Sequence, residues 1–202
     1  PMLPKAQTSW TREEAAHLLN RAGFGGAPSA INDLHAMGRE KAVDFLLQPT
    51  EAPDAFDEPE WCKPEKVAEE ARRRFQLIRD NRIASRDMTP EEADRKRREI
   101  QQSFQRDERR RGMEAQGWWL DRMLKSQAPL REKMTLFWHD HFATSAQKVR
   151  EPILLVRQNQ LFRTHAMGNF KELTHKITQD GAMMLYLDLQ NSKKGKPNEN
   201  FA

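Results

Sequence analysis

Four prolines, at positions 64, 90, 129 and 152, each stand at the head of a stretch in which apolar residues recur every three or four positions, while strand-like alternation is nearly absent. Proline is favoured in the first turn of a helix, where its missing N–H would have no partner anyway. Two capping boxes add to this punctuation, Thr11-Arg12-Glu13-Glu14 and Thr89-Pro90-Glu91-Glu92. In each, the threonine hydroxyl accepts from the glutamate amide and the carboxylate reaches back. The expected fold class is therefore all-α: an irregular multi-helix bundle with a projecting charged helical hairpin.

The first helix carries Ala15, Leu18, Leu19 and Ala22 and stops at Gly23-Phe24-Gly25-Gly26. Ser29 is expected to cap a short helix ending at Gly38, and Lys41 to Leu47 to form the next. Thr50 to Pro64, with three prolines and many acids, reads as an irregular connection. A helix is expected from Pro64 to about Ile83, with Val67, Ala71, Phe75 and Ile78 along its apolar stripe. A long helix from Pro90 toward Trp118, Trp119 and Met123 completes the hairpin. Pro129 and Pro152 open two further helices, Asn169 caps another, and Ala182 to Leu187 form a last apolar piece. We read residues 1–202 as one helical domain with residues 64–116 as an inserted charged arm.

That arm decides what the net charge of +4 means. Between Lys63 and Gly112 lie 16 of the 34 basic residues and 11 of the 30 acidic ones, so the rest of the chain is close to neutral. Basic residues diluted by so many acids form a solvated, salt-bridged face rather than a phosphate-binding stripe, and nucleic acid is disfavoured as a partner. Cys62 is the only cysteine, which rules out an intrachain disulfide and a multi-thiolate metal site. No membrane span is expected, since no stretch approaches about 18 apolar residues. A cytoplasmic compartment follows from the absence of a signal, or a periplasmic or secreted one if a leader precedes this sequence.

Chemistry is best sought in Phe137-Trp138-His139-Asp140-His141-Phe142, where two imidazoles and a carboxylate sit among three large aromatic residues. On a helix, residues two apart are rotated by about 200°, so His139 and His141 can share a metal only if the helix breaks near Asp140. Ala143-Thr144-Ser145-Ala146 is a plausible helix end. The competing reading makes His141 a hydrogen-bonded residue on the stripe of Phe137 and lets Asp140 orient His139. Glu199, in the first turn of a helix capped by Asn198, is the candidate third ligand or general base. Two histidines and one carboxylate suit zinc or non-haem iron. Equally, Glu199 could simply complement a helix dipole.

Other constellations are weaker. His17 and Arg21 precede a glycine run, but that run follows a helix, whereas phosphate-cradling loops precede one. His165 and His175 read as surface or capping residues, and Trp118-Trp119 as a core anchor rather than a base-stacking platform. No nucleophile elbow, Walker motif or dinucleotide fingerprint is present.

Four blocks match as a set: Ala16 to Gly25; Pro129 to Phe142; Gly168-Asn169-Phe170; and Tyr186-Leu187-Asp188 with Pro197-Asn198-Glu199-Asn200-Phe201-Ala202. Together they resemble the bacterial family called domain of unknown function 1800 (DUF1800). The resemblance implies an N-terminal portion of a longer domain, cut within the last motif, and gives weight to the His139-x-His141 and Asn198-Glu199-Asn200 blocks. It supplies no reaction. Two functional expectations follow. One is a metal-binding or metal-assisted enzyme domain with His139 and His141 as ligands, Asp140 as orienter or catalytic group, and Glu199 as ligand or base. The other is a non-enzymatic scaffold that docks a protein partner through the 64–116 arm.

Overall fold

The computed structural model describes residues 9–47 and 56–201. Among these the chain forms ten α-helices, a few short 3₁₀ turns and no strand. None of the described helices is long and apolar enough to cross a membrane.

The first three helices make a compact corner: α1 (Arg12–Ala22), α2 (Pro28–Met37) and α3 (Arg39–Leu47). The first capping box forms as expected, with the Glu14 amide donating to Thr11 Oγ1 at 3.3 Å and the Thr11 amide to Glu14 Oε2 at 3.2 Å. Helix α2 starts one residue before the expected cap. Proline at its first position takes the start to Pro28, so Ser29 lies inside the turn and caps nothing. Gly38, at φ +80°, makes the left-handed turn into α3, a conformation that a side chain would strain. Ala15, Leu19, Leu34, Ala42 and Leu46 form the buried core of this corner.

The arm consists of α4 (Pro64–Ala84) and α5 (Pro90–Lys125), the latter opened by the second capping box. Its stripe is rotated from the expected one. Val67, Glu70, Arg74, Leu77 and Asn81 are partly buried, whereas Phe75 is 70% and Ile78 55% exposed. Spacings of three and four from Val67 run through charged residues, so an apolar count misplaced the seam. Charge closes the arm instead. Glu70 binds Arg73 and Arg74 on its own helix, each at 2.9 Å, and Arg111 on α5 at 3.4 Å. Arg73 reaches Asp107 at 3.0 Å and Arg74 reaches Glu108 at 3.5 Å. The pairing of low with high residue numbers makes the hairpin antiparallel. Hydrogen bonds from Arg73, then Arg74, hold the Glu70 carboxyl down at about 2.

The remaining helices are α6 (Pro129–His141), α7 (Ala146–Val149), α8 (Pro152–His165), α9 (Phe170–Ile177) and α10 (Gly181–Tyr186). Phe162, Leu173, Ile177 and Met183 are the buried centre of this half, with Trp138, Phe142 and Tyr186 packed around them. Asn169 and Asp180 cap α9 and α10 by accepting from the Glu172 and Met183 amides at 3.2 and 2.8 Å.

Between α5, α6 and α8 the interior is ionic. Arg163 grips Glu132 with two bonds, Nε to Oε1 at 2.7 Å and Nη2 to Oε2 at 2.9 Å. Arg122 approaches the same carboxylate at 3.5 Å and donates to the Phe56 carbonyl at 2.9 Å. Both guanidinium groups lie over the Trp118 ring, 5.3 Å from its centroid. Arg122 and Glu132 are each 1% exposed. This cluster sets the spacing of the three helices that wall the candidate site.

Candidate functional site

Helix α6 runs unbroken through Asp140 to His141, and its cap is Phe142. The uncoiling needed for chelation by His139 and His141 does not occur, because the Phe142 amide still bonds back to the Trp138 carbonyl at 2.9 Å. The two rings accordingly keep different company. His139 packs inward against Trp119, with ring centroids 5.0 Å apart, and against Phe162 at 6.2 Å. His141 is exposed and sits among Phe137, Trp138, Phe142 and Phe170. Asp140 is exposed between them.

Glu199 is exposed and opens a single 3₁₀ turn, Glu199–Phe201, rather than an α-helix. Asn198 does act as a local cap there. Its Oδ1 accepts from the Asn200 amide at 2.8 Å, and its Nδ2 donates to the Asp188 carbonyl at 3.2 Å. The four candidate residues are thus not brought to a common point. Among the described residues no group of three or more His, Cys, Asp and Glu side chains is arranged to hold a metal ion.

What the structure gathers instead is a pocket of about 210 Å³ on the inner side of His139. Helix α5 contributes Trp118 and Trp119, and α8 contributes Leu155, Val156 and Asn159; Thr144 comes from the α6–α7 connection. Among the described residues, no Asp, Glu, Lys or Arg lines it. Burial pushes His139 below the ordinary histidine range, with the nearby Asp140 charge opposing more weakly, so its imidazole is neutral at physiological pH.

The wall is poor in completed hydrogen bonds. Trp118 Nε1, Trp119 Nε1, His139 Nδ1 and both polar atoms of Asn159 are buried without a partner among the described residues. Asn159 is only 4% exposed. Its neighbour Gln158 provides the contrast. Gln158 Oε1 accepts from Thr144 Oγ1 at 2.7 Å, and Nε2 donates to Asp180 Oδ1 at 2.7 Å, so that amide is used at both ends. Of two adjacent buried amides, one is bonded at both ends and the other has no partner among the described residues.

Outward, the pocket opens into a polar cleft of about 480 Å³ that shares Gly112, Gln116, Ala146, Pro152 and Leu155 with it. Arg109, Arg150 and Glu151 stand at this mouth. Arg150 adopts the left-handed conformation at φ +54°, an uncommon state for a residue with a side chain, fixed by its Nε donating to the Gln147 carbonyl at 3.0 Å. Cys62 lies elsewhere and is buried, its thiol pushed up to about 12 by burial, which leaves it protonated and poorly nucleophilic.

Sequence reasoning singled out His139 as a metal ligand and the tryptophan pair as a core anchor, and it passed over Asn159. A signal was present: Pro152, Leu155, Val156, Asn159, Phe162 and Arg163 share one face of α8, so an amide stood on an apolar stripe.

These elements define an all-α fold of packed helices, short and long, with a lateral pocket whose described lining carries no charge. The chain belongs to the family described as Protein of unknown function (DUF1800), whose model matches residues 17–202. No curated protein and no solved structure matches it.

Proposed function

We propose that this chain is a small-molecule-binding domain, with its ligand held between α5, α6 and α8. One observation carries the reading: a pocket whose wall contains a buried amide, an imidazole and two indoles with unused hydrogen-bonding atoms. A buried polar group without a partner costs about 1–3 kcal/mol, and folds keep such groups mostly where something else uses them. His139, neutral and facing aromatic walls, can accept a proton or a hydrogen bond from the occupant, depending on its tautomer. Metal-assisted chemistry at His139, His141 and Glu199 is less well supported, since it would need the end of α6 to uncoil and Glu199 to approach.

The test is Asn159→Leu. If the amide serves a ligand, the variant loses saturable ligand-induced shifts of tryptophan fluorescence and gains stability, with a melting temperature higher by about 2–4 °C for each kcal/mol recovered. A less stable Asn159→Leu protein would mean that the amide is structural, and would sink the proposal.

A second reading, a scaffold that docks a protein through the arm, is favoured by the outward Phe75 and Ile78 on a helix otherwise rich in charge. Its partner would present a short apolar stripe bordered by both signs of charge. Unchanged binding of such a partner by Phe75→Ser would overturn it.

A further inference from the structure

We infer that the occupant of the pocket is an uncharged planar compound presenting a donor and an acceptor side by side, as a primary carboxamide, a lactam or a nucleobase does, to the side chain of Asn159. The inference rests on the ligand-binding reading above and narrows it to a chemical class.

Charge is excluded first. With no ionised side chain on the lining, a charged ligand would give up its hydration and meet no counter-charge. The apolar share of the wall comes from Trp118, Trp119, Pro152, Leu155 and Val156, flat or branched surfaces that favour a flat body. The polar share then selects the edge. Asn159 Oδ1 and Nδ2 are both unpartnered and lie side by side on one planar group, so a single ligand satisfies both only through an adjacent donor and acceptor. A trans peptide holds its N–H and C=O on opposite sides and offers one of them at a time, which disfavours an extended polypeptide as the occupant.

Access also has a structural basis. Gly112 lines both the pocket and the outer cleft, and apart from its chain neighbours and its own helix's backbone no described atom lies within 4 Å of the position a Cβ would take there. Crowding therefore does not demand glycine inside this helix, where it is intrinsically unfavourable. Its lack of a side chain leaves the passage wide.

The experiment titrates the full chain with benzamide, uracil, benzoate and ethylbenzene, following the indole N–H resonances of Trp118 and Trp119 and the heat of binding. Benzamide and uracil should bind saturably, and benzoate more weakly by about tenfold or more, the factor expected for one lost or charge-mismatched hydrogen bond. Asn159→Leu should erase the preference for benzamide over ethylbenzene. Gly112→Leu, which leaves Asn159 untouched, should block all four probes. Ethylbenzene binding as well as benzamide, in the wild type and in Asn159→Leu alike, would overturn the amide-edge inference while leaving a ligand pocket in place. Absence of binding by every probe, with identical spectra for the wild type and Gly112→Leu, would overturn both.

Discussion

Glu132 holds two arginines in a space that excludes water, and its removal would leave two buried guanidinium groups without their carboxylate. The expected cost of Glu132→Ala is about 3–5 kcal/mol, against near-neutrality for a surface carboxylate such as Glu91, measured by denaturant unfolding. His139 makes a prediction of opposite character. Its folded pKa is depressed by burial, so below the ordinary histidine range, about 6.5, the unfolded chain takes up a proton that the folded one refuses. Stability should fall as pH drops through that range and show no contribution from this residue above it. His139→Leu should remove that slope, and an unaltered slope would mean that the imidazole is hydrated in the native state.

At the scale of elements, the arm separates pattern from packing. Phe75→Ser should change stability by less than about 0.5 kcal/mol because the ring is already in water, while Leu77→Ser, on the seam, should cost about 1–2 kcal/mol. Helix starts were legible in the sequence because caps and prolines act locally: Thr11, Thr89, Pro64, Pro90, Pro129, Pro152 and Asn169 all stand where α-helices begin. The seam was not, because ion pairs such as Glu70 with Arg111 bury charged residues at positions that an apolar count assigns to solvent. The site was half legible for the same reason. His139 and the tryptophans announce themselves by residue type, but whether two histidines converge depends on where α6 ends. Asn159 gains its meaning only from a lack of partners, which is a property of three dimensions.

Over the whole molecule, stability should be graded. Two apolar clusters and the Arg122–Glu132–Arg163 knot hold the body, whereas the arm is closed largely by exposed or half-exposed charges. Hydrogen exchange should therefore open the amides of α4 and the first half of α5 at a lower free energy than those of α8, and more readily in high salt, which screens the clasp. Equal protection along α5 would contradict this division.

Helix α5 is a single rod of 36 residues, about 54 Å long at the usual rise, and it carries one limb of the arm at its start and one wall of the pocket toward its end. A tilt of about 5° pivoting at Gly112 displaces Pro90 by about 3 Å. Anything that grasps the distal tip thus has mechanical purchase on the indoles 28 and 29 positions farther along the same rod.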